Sequence, residues 1–183
     1  MQNSYKDRES SYLMNLIEAY KFCPRCTGEM NHENENLLVC KICKFNFYVN
    51  PSPTNGAIIE NEEGKLLLTK RKFPPREGFW DLPGGFMNRK ESFEESLKRE
   101  IKEELGVEIS IEKIIGAYAD EYEYQNIQMP VLFISASAKI IKGKIKVSDD
   151  VSEYKFFDKN EVLKQNLGFT CVEKALKDYL SHN

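Results

Sequence analysis

An α/β domain preceded by a small four-cysteine module is the fold the sequence predicts, on three observations. Cys23-Pro-Arg-Cys26 and Cys40-Lys-Ile-Cys43 stand thirteen residues apart near the N-terminus. From Thr54 onward, strand-like runs alternate with helical periodicity. One helical stretch, Ser92 to Leu105, is dense in glutamate. A length of 183 residues accommodates one domain plus a small module, and a 41% hydrophobic content is enough to build its core.

The elements follow in order. Tyr12, Leu13, Leu16, Ile17 and Tyr20 recur at helical spacing, which predicts a helix over about Glu9–Tyr20, serving either packing or dimerisation. Phe22 to Asn50 is short, turn-rich and arranged around the cysteines. Pro51 and Pro53 mark a linker, because proline fixes φ and lacks a backbone donor. The expected division is therefore an arm over 1–20, a cysteine module over 21–50 and a main domain over 51–183. Ala57–Glu60 and Lys65–Lys70 read as strands around the turn Asn61-Glu-Glu-Gly64, and Lys72–Gly78 as a loop. The helix over Ser92–Leu105 stops at Gly106, a residue suited to a left-handed cap. Ile114–Tyr124, Val131–Ile140 and Tyr154–Phe157 read as strands. Thr170–Leu180 reads as a closing helix with Thr170 as its N-cap.

The glutamate helix carries the chemistry. Glu100, Glu103 and Glu104 are at i, i+3 and i+4, so they are neighbours on one side. At about 100° per residue, Phe93, Leu97 and Ile101 form an apolar stripe, with Glu104 inside it and Glu100 at its edge. A carboxylate turned toward a core is costly unless it is paired or bound to a metal, and several together repel. Mg²⁺, which takes carboxylate and phosphate oxygens, removes both costs. The competing reading is a solvated helix whose glutamates pair with Lys98 and Lys102. Before it, Gly84–Gly85 permits close backbone approach to a ligand.

Read as G-x5-E-x7-R-E-U-x-E-E-x-G-U, with U aliphatic, the segment resembles the Nudix box. Gly85, Glu91, Arg99, Glu100, Ile101, Glu103, Glu104, Gly106 and Val107 fill every fixed position. Leu66–Arg71 and Trp80-Asp-Leu-Pro-Gly-Gly85 resemble the approach to that box, and the likeness extends from about Thr54 to the C-terminus. The resemblance implies an α/β/α sandwich around a mixed sheet. It implies Mg²⁺ or Mn²⁺ held by Glu100, Glu103, Glu104 and the Gly85 carbonyl, with Arg99 steadying Glu100 and Glu91 supporting the loop. It further implies a general base at Glu100 or Glu103, and a later acid for which Asp150 and Glu153 are suitably placed, unless both are plain surface acids. The expected enzyme is a pyrophosphohydrolase using metal-activated water on a nucleoside diphosphate joined to another group, such as ADP-ribose, NADH or FAD.

Two CxxC turns can close a tetrahedral four-thiolate site, so Cys23, Cys26, Cys40 and Cys43 predict a structural Zn²⁺. The module resembles the zinc ribbons ahead of some Nudix domains, notably NADH pyrophosphatase-like proteins, and acts either as a spacer or as an RNA- or partner-binding surface. The Ser-Gln-Pro-Trp-type segment of those proteins is missing: residues 122–130 read YEYQNIQMP. Tyr118, Tyr122 and Tyr124 alternate along one strand, available for base stacking or for packing. Phe79, Trp80 and Phe86 bracket the glycine turn as further stacking candidates. Arg71 is placed to meet phosphate or to face water. Cys171 is expected to be a buried small residue.

A net charge of −3 gives no support to duplex binding. The N-terminus lacks a secretory pattern and no run approaches the roughly 20 apolar residues of a bilayer span, so a cytoplasmic location without a membrane partner is expected. Related domains with such N-terminal modules lead to the expectation of a homodimer. The alternatives carried forward are a nucleotide-sensing or RNA/protein-binding module, and removal of an NAD cap from RNA.

Overall fold

The computed structural model describes residues 13–148 and 150–182. The described chain up to Asn50 groups with Glu121–Pro130 as one unit; Pro51–Asp120 and the described chain from Val131 onward form a second. The first unit opens with a two-residue strand β1 (Met14–Asn15) and a single helical turn α1 (Leu16–Ala19). The helix expected over Glu9–Tyr20 is shorter at its described end, and residues 9–12 lie outside the described residues. Met14 N–H donates to the Asn126 carbonyl, and Met14 and Asn15 pair in parallel with Ile127 and Gln128, so strand pairing claims the backbone. The apolar periodicity is used for packing instead: Ile17 is buried in the module's core and the Tyr20 ring lies 4.9 Å from Phe47.

Strands β2 (Met30–His32), β3 (Leu37–Cys40) and β4 (Asn46–Tyr48) form an antiparallel sheet in that order. Alternation along β3 buries Leu38 and Cys40 beside Met30, Val49 and Cys23.

The second unit contains β5 (Ser52–Ile59), β6 (Leu66–Arg71), β7 (Trp80–Asp81), α2 (Phe93–Leu105), β8 (Glu108–Tyr124), β9 (Ile127–Lys142), β10 (Val151–Phe157) and α3 (Thr170–Ser181). The tip of the β8–β9 hairpin belongs to the first unit. β5 runs parallel to β9 from Ser52↔Val131 to Ile59↔Ala138, and β8 pairs with β9 as a hairpin, giving a mixed sheet. A second sheet has the order β10-β6-β7, all antiparallel. The linker expected at Pro51 and Pro53 is corrected at its end: β5 already begins at Ser52. Pro53 needs no donor there, and its carbonyl accepts from Met87 N–H.

Period-two alternation distributes the central strands between two helices. Ala57, Ile59 and Leu67 face one way and pack with Leu97, Ile101 and Leu105 of α2. Ile58, Leu66 and Leu68 face the other way and pack with Val172, Ala175 and Leu176 of α3. The result is an α/β/α sandwich, in which each buried Leu or Ile stabilises by about 1.5–3 kcal/mol. Ser92 and Glu95 make a reciprocal capping box at the start of α2, and Gly106 ends it at φ +69°. Thr170 is not the N-cap of α3. Phe169 holds that position, and Asp120 of β8 substitutes for a local cap, accepting from Cys171 N–H at 2.7 Å and Thr170 Oγ1 at 2.9 Å. Among the described residues no helix is long and apolar enough to cross a membrane.

Candidate active site

The turn Gly84–Gly85 and helix α2 meet where side chains have no room. A Cβ on Gly84, at φ +150°, would lie 2.3 Å from the Asn55 carbonyl oxygen; one on Gly85 would lie 2.6 Å from the Glu100 carboxyl carbon. Gly84 N–H donates to Glu104 Oε2 at 3.0 Å. Asn55 clamps Gly85 from both sides, its N–H donating to the Gly85 carbonyl at 2.8 Å and its Oδ1 accepting from Gly85 N–H at 3.4 Å. That carbonyl keeps a second lone pair. Asn55 Nδ2 also donates to the buried Ser96 Oγ, tying β5 to α2.

Arg99 organises the acids. Its Nε and Nη2 grip Glu91 at 2.6 and 3.0 Å, while Nη1 reaches Glu100 at 2.7 Å and Glu103 at 2.9 Å. Nη2 also donates to the Phe86 carbonyl at 3.2 Å. The guanidinium's planar fork suits this divided pairing. Arg99, with Asn88, draws the Glu91 carboxyl down to about 2. A depressed carboxylate adds stability above its unfolded value and loses it as pH falls. Glu91→Gln should therefore lower the thermal midpoint at pH 7, and the gap should close as pH falls from about 4.5 toward 2. Midpoints recorded across that range check this; a constant gap would contradict it.

The other acids move upward. Glu104 is buried, and burial first, then the charge of Asp150, pushes its carboxyl well above the usual range. Burial likewise raises Glu100, against the pull of Arg99. Asp81 is pushed up to about 6 by burial, against Arg71. Each of the three feels Asp150. The Asp150 segment is delivered there by the end of α2, whose Glu104 and Leu105 carbonyls accept from Ser148 and Lys146 N–H. Glu153, by contrast, is exposed and pairs with Lys70 at 3.2 Å. Acids that raise one another around a glycine turn make a site that a divalent cation relieves. The oxygens of the three glutamates are not drawn into a tight cage. Among the described residues, only the four cysteines gather their ligating atoms within 4.8 Å. Mg²⁺ keeps several waters and takes phosphate oxygens, so an open carboxylate set fits it.

The remaining candidates are placed variously. Trp80 is half-buried, edge-on to Phe157 at 5.0 Å, and pinned by Asn166 and Gly168 backbone bonds. Phe86 is exposed beside the turn. The Arg71 guanidinium donates to Pro75 O at 2.8 Å and Asp81 Oδ2 at 3.2 Å, and lies 5.1 Å from the Phe169 ring. Phe79 sits under Arg76, 5.8 Å away. Tyr118 donates to Asp178 of α3 at 2.7 Å and packs on the α3-side core. Tyr122 and Tyr124 belong to the first unit, so the three tyrosines are divided between units. Sequence reasoning passed over Asp81 and Asp120. The available signal was an acid set between apolar residues, Trp80 and Leu82, which must find a partner if buried.

The cysteine cluster is built from two matching turns. Thr27 N–H returns to the Cys23 carbonyl and Lys44 N–H to the Cys40 carbonyl, with φ +60° at Thr27 and +58° at Lys44. Backbone N–H groups of Arg25 and Cys43 donate to Cys23 and Cys40 Sγ, each at 3.4 Å. The Cys43 contact draws the Cys40 thiol down to about 6. Cys26 and Cys40 Sγ are 3.4 Å apart, and Cys23 and Cys43 Sγ 3.8 Å. Tetrahedral Zn–S bonds of about 2.3 Å require sulfurs about 3.8 Å apart, so the cluster fits zinc. Cys171 is buried on α3, and burial pushes its thiol up.

Comparison with known proteins agrees with this geometry. The profile of the NUDIX domain matches residues 51–175. An ADP-ribose pyrophosphatase of Methanocaldococcus jannaschii is 37% identical over 138 residues, covering 75% of this chain and 78% of that protein. A NUDIX hydrolase from Nitrosomonas europaea superposes with a TM-score of 0.71 at 27% identity, covering 89% of this chain and 92% of its own. A MutT protein from Methanosarcina mazei superposes at 0.61, also at 27% identity, covering 73% and 96%. With the box residues assembled on α2 against the glycine turn and the family profile spanning the second unit, the chain belongs to the Nudix hydrolase family.

Proposed function

We propose that this Nudix hydrolase cleaves the pyrophosphate of a nucleoside diphosphate derivative, with ADP-ribose as the first substrate to test, using Mg²⁺ or Mn²⁺. The supporting observation is the meeting of the buried Glu104 and half-buried Glu100 with the Gly84–Gly85 turn, in a relative-rich family where one 37% identical protein is named for ADP-ribose. Glu100, Glu103, Glu104, the Gly85 carbonyl and Asp150 would hold the cation. When bound, it neutralises phosphate charge and lowers the pKa of water. Arg99 fixes the orientation of Glu100 and Glu103. One of those two takes the proton from the attacking water. Gly84 N–H keeps Glu104 turned inward. Phe86, exposed beside the turn, is the aromatic best placed to meet a base. The products are a nucleoside monophosphate and a second phosphate.

The ribbon over 21–50 holds zinc for its fold, and the hydrolase domain comprises 51–183. Zinc-loaded protein should cleave ADP-ribose in Mg²⁺ and stop in EDTA, read by mass spectrometry. The same panel should carry NADH, NAD⁺, FAD, diadenosine polyphosphates, nucleoside triphosphates and NAD-capped RNA. Calorimetric binding of ADP-ribose with no cleavage of any member would replace hydrolysis with nucleotide sensing.

A further inference from the structure

Asp81 lies outside the box, yet it starts the segment that the box depends on. Its Oδ1 accepts from Leu82 N–H at 2.9 Å, and its carbonyl accepts from Thr69 Oγ1 at 3.3 Å. From there each step is anchored: Pro83 O accepts from Ala57 N–H, Gly84 N–H donates to Glu104, and Asn55 clamps Gly85. Oδ2 of Asp81 meets Arg71 Nη1 at 3.2 Å, with side chains 14% and 20% exposed. The same guanidinium holds the 72–79 turn through Pro75 O and lies over Phe169, just before α3. Gly168 N–H closes this corner by donating to the Trp80 carbonyl at 2.8 Å. One ion pair therefore joins three chain segments at the root of the glycine turn. A largely buried ion pair is a weak source of net stability compared with apolar packing. What it supplies is direction, since the guanidinium fork and the carboxylate accept few relative orientations.

We propose that Arg71–Asp81 is a positioning pair that holds residues 81–85 at the register where Gly84 meets Glu104 and Gly85 meets Glu100, and so sets divalent-metal affinity and turnover. Neither side chain needs to touch metal or substrate. This rests on the hydrolase reading of the site.

The test uses full-length, zinc-loaded protein. Asp81→Asn is isosteric and keeps an oxygen for Leu82 N–H. Arg71→Lys keeps the charge but loses the fork. Mn²⁺ affinity is read from the free-ion electron paramagnetic resonance signal, kcat and KM from ADP-ribose hydrolysis, and folding from the thermal midpoint. Asp81→Asn is expected to weaken Mn²⁺ binding about 10-fold and to lower kcat by a similar factor, with KM little changed. Arg71→Ala/Asp81→Ala should be no worse than the worse single variant, because the pair acts as one unit. Unchanged Mn²⁺ affinity and kcat in a folded Asp81→Asn would overturn the proposal, as would a rise in KM alone, which marks a substrate contact. If Asp81→Asn does not fold, Arg71→Lys decides by the same readouts. If the wild type hydrolyses no ADP-ribose, the Mn²⁺ comparison still judges the positioning claim while the substrate assignment fails separately.

Discussion

Glu103→Gln should lower kcat by about 100-fold or more, the scale of lost metal and acid–base assistance, while leaving the thermal midpoint close to wild type. The two expectations come from different features of the same side chain. Glu103 is half-exposed, and its Oε2 accepts from Arg99 Nη1 at 2.9 Å. Glutamine has the same length and offers Arg99 an amide oxygen, and an exposed pair contributes only about 0–1 kcal/mol. Turnover is another matter, because an amide neither accepts a proton from water nor balances the charge of a cation. Steady-state hydrolysis of ADP-ribose and a melting curve settle it together. Turnover like that of wild type would sink the role given to Glu103. A matched Glu100→Gln series identifies the base: the variant that abolishes the acidic limb of the pH–rate profile has lost it.

The hydrolase core was legible in its elements, because apolar runs at Ala57–Glu60 and Lys65–Lys70 read as strands and the Phe93–Leu97–Ile101 stripe as a helix face. Which strand residues face which helix was not, since the runs are apolar throughout and only the structure divides Ile58, Leu66 and Leu68 from Ile59 and Leu67. The ends were less legible, since strand pairing is a tertiary event. β8 runs from Glu108, six residues before its expected start, and β9 begins at Ile127, before Pro130. The turn between them, Gln125–Asn126, takes φ +51° and +64°, a geometry usually signalled by Asn-Gly or Asp-Gly and here carried by neither. The N-terminal periodicity was real but served packing, since Met14 and Asn15 were captured by a strand.

At the site, the carboxylate side of α2 followed from i, i+3, i+4 spacing, and the geometry of Gly84–Gly85 explains why side chains fail there. What spacing could not resolve was choice among remote acids. Asp150 and Glu153 are three residues apart, with a bulge between Val151 and Glu153; Glu153 pairs with Lys70, while the charge of Asp150 helps to raise Glu104. Asp81 was hidden for a similar reason. Its partner Arg71 is ten residues away, and only the β6–β7 register brings them together. The alternating tyrosines all lie on β8, and of the three it is Tyr118 that packs on the α3-side core.

Removal of zinc should unfold the cysteine module while the hydrolase unit keeps its own unfolding transition. Among the described residues the module's buried core amounts to Ile17, Met30, Leu38 and Val49 with two of its cysteines, Cys23 and Cys40. So few apolar side chains do not offset the ordering of some thirty residues at about 1.5 kcal/mol each. A structural zinc contributes about 10–16 kcal/mol of apparent binding free energy at neutral pH, and in so small a module that binding free energy is folding free energy. The hydrolase unit has its own buried cores around α2 and α3, and these are expected to keep their packing when the module loses its metal. Two-dimensional amide spectra before and after chelation should show collapse of the resonances of residues 21–50, with those of β5, β6, α2 and α3 retained. Cys40→Ser should reproduce the loss and bring metal content below one zinc per chain. A module that stays folded without zinc would mean that its own hydrogen-bonded turns and small core suffice, and that the four thiols serve something other than the fold.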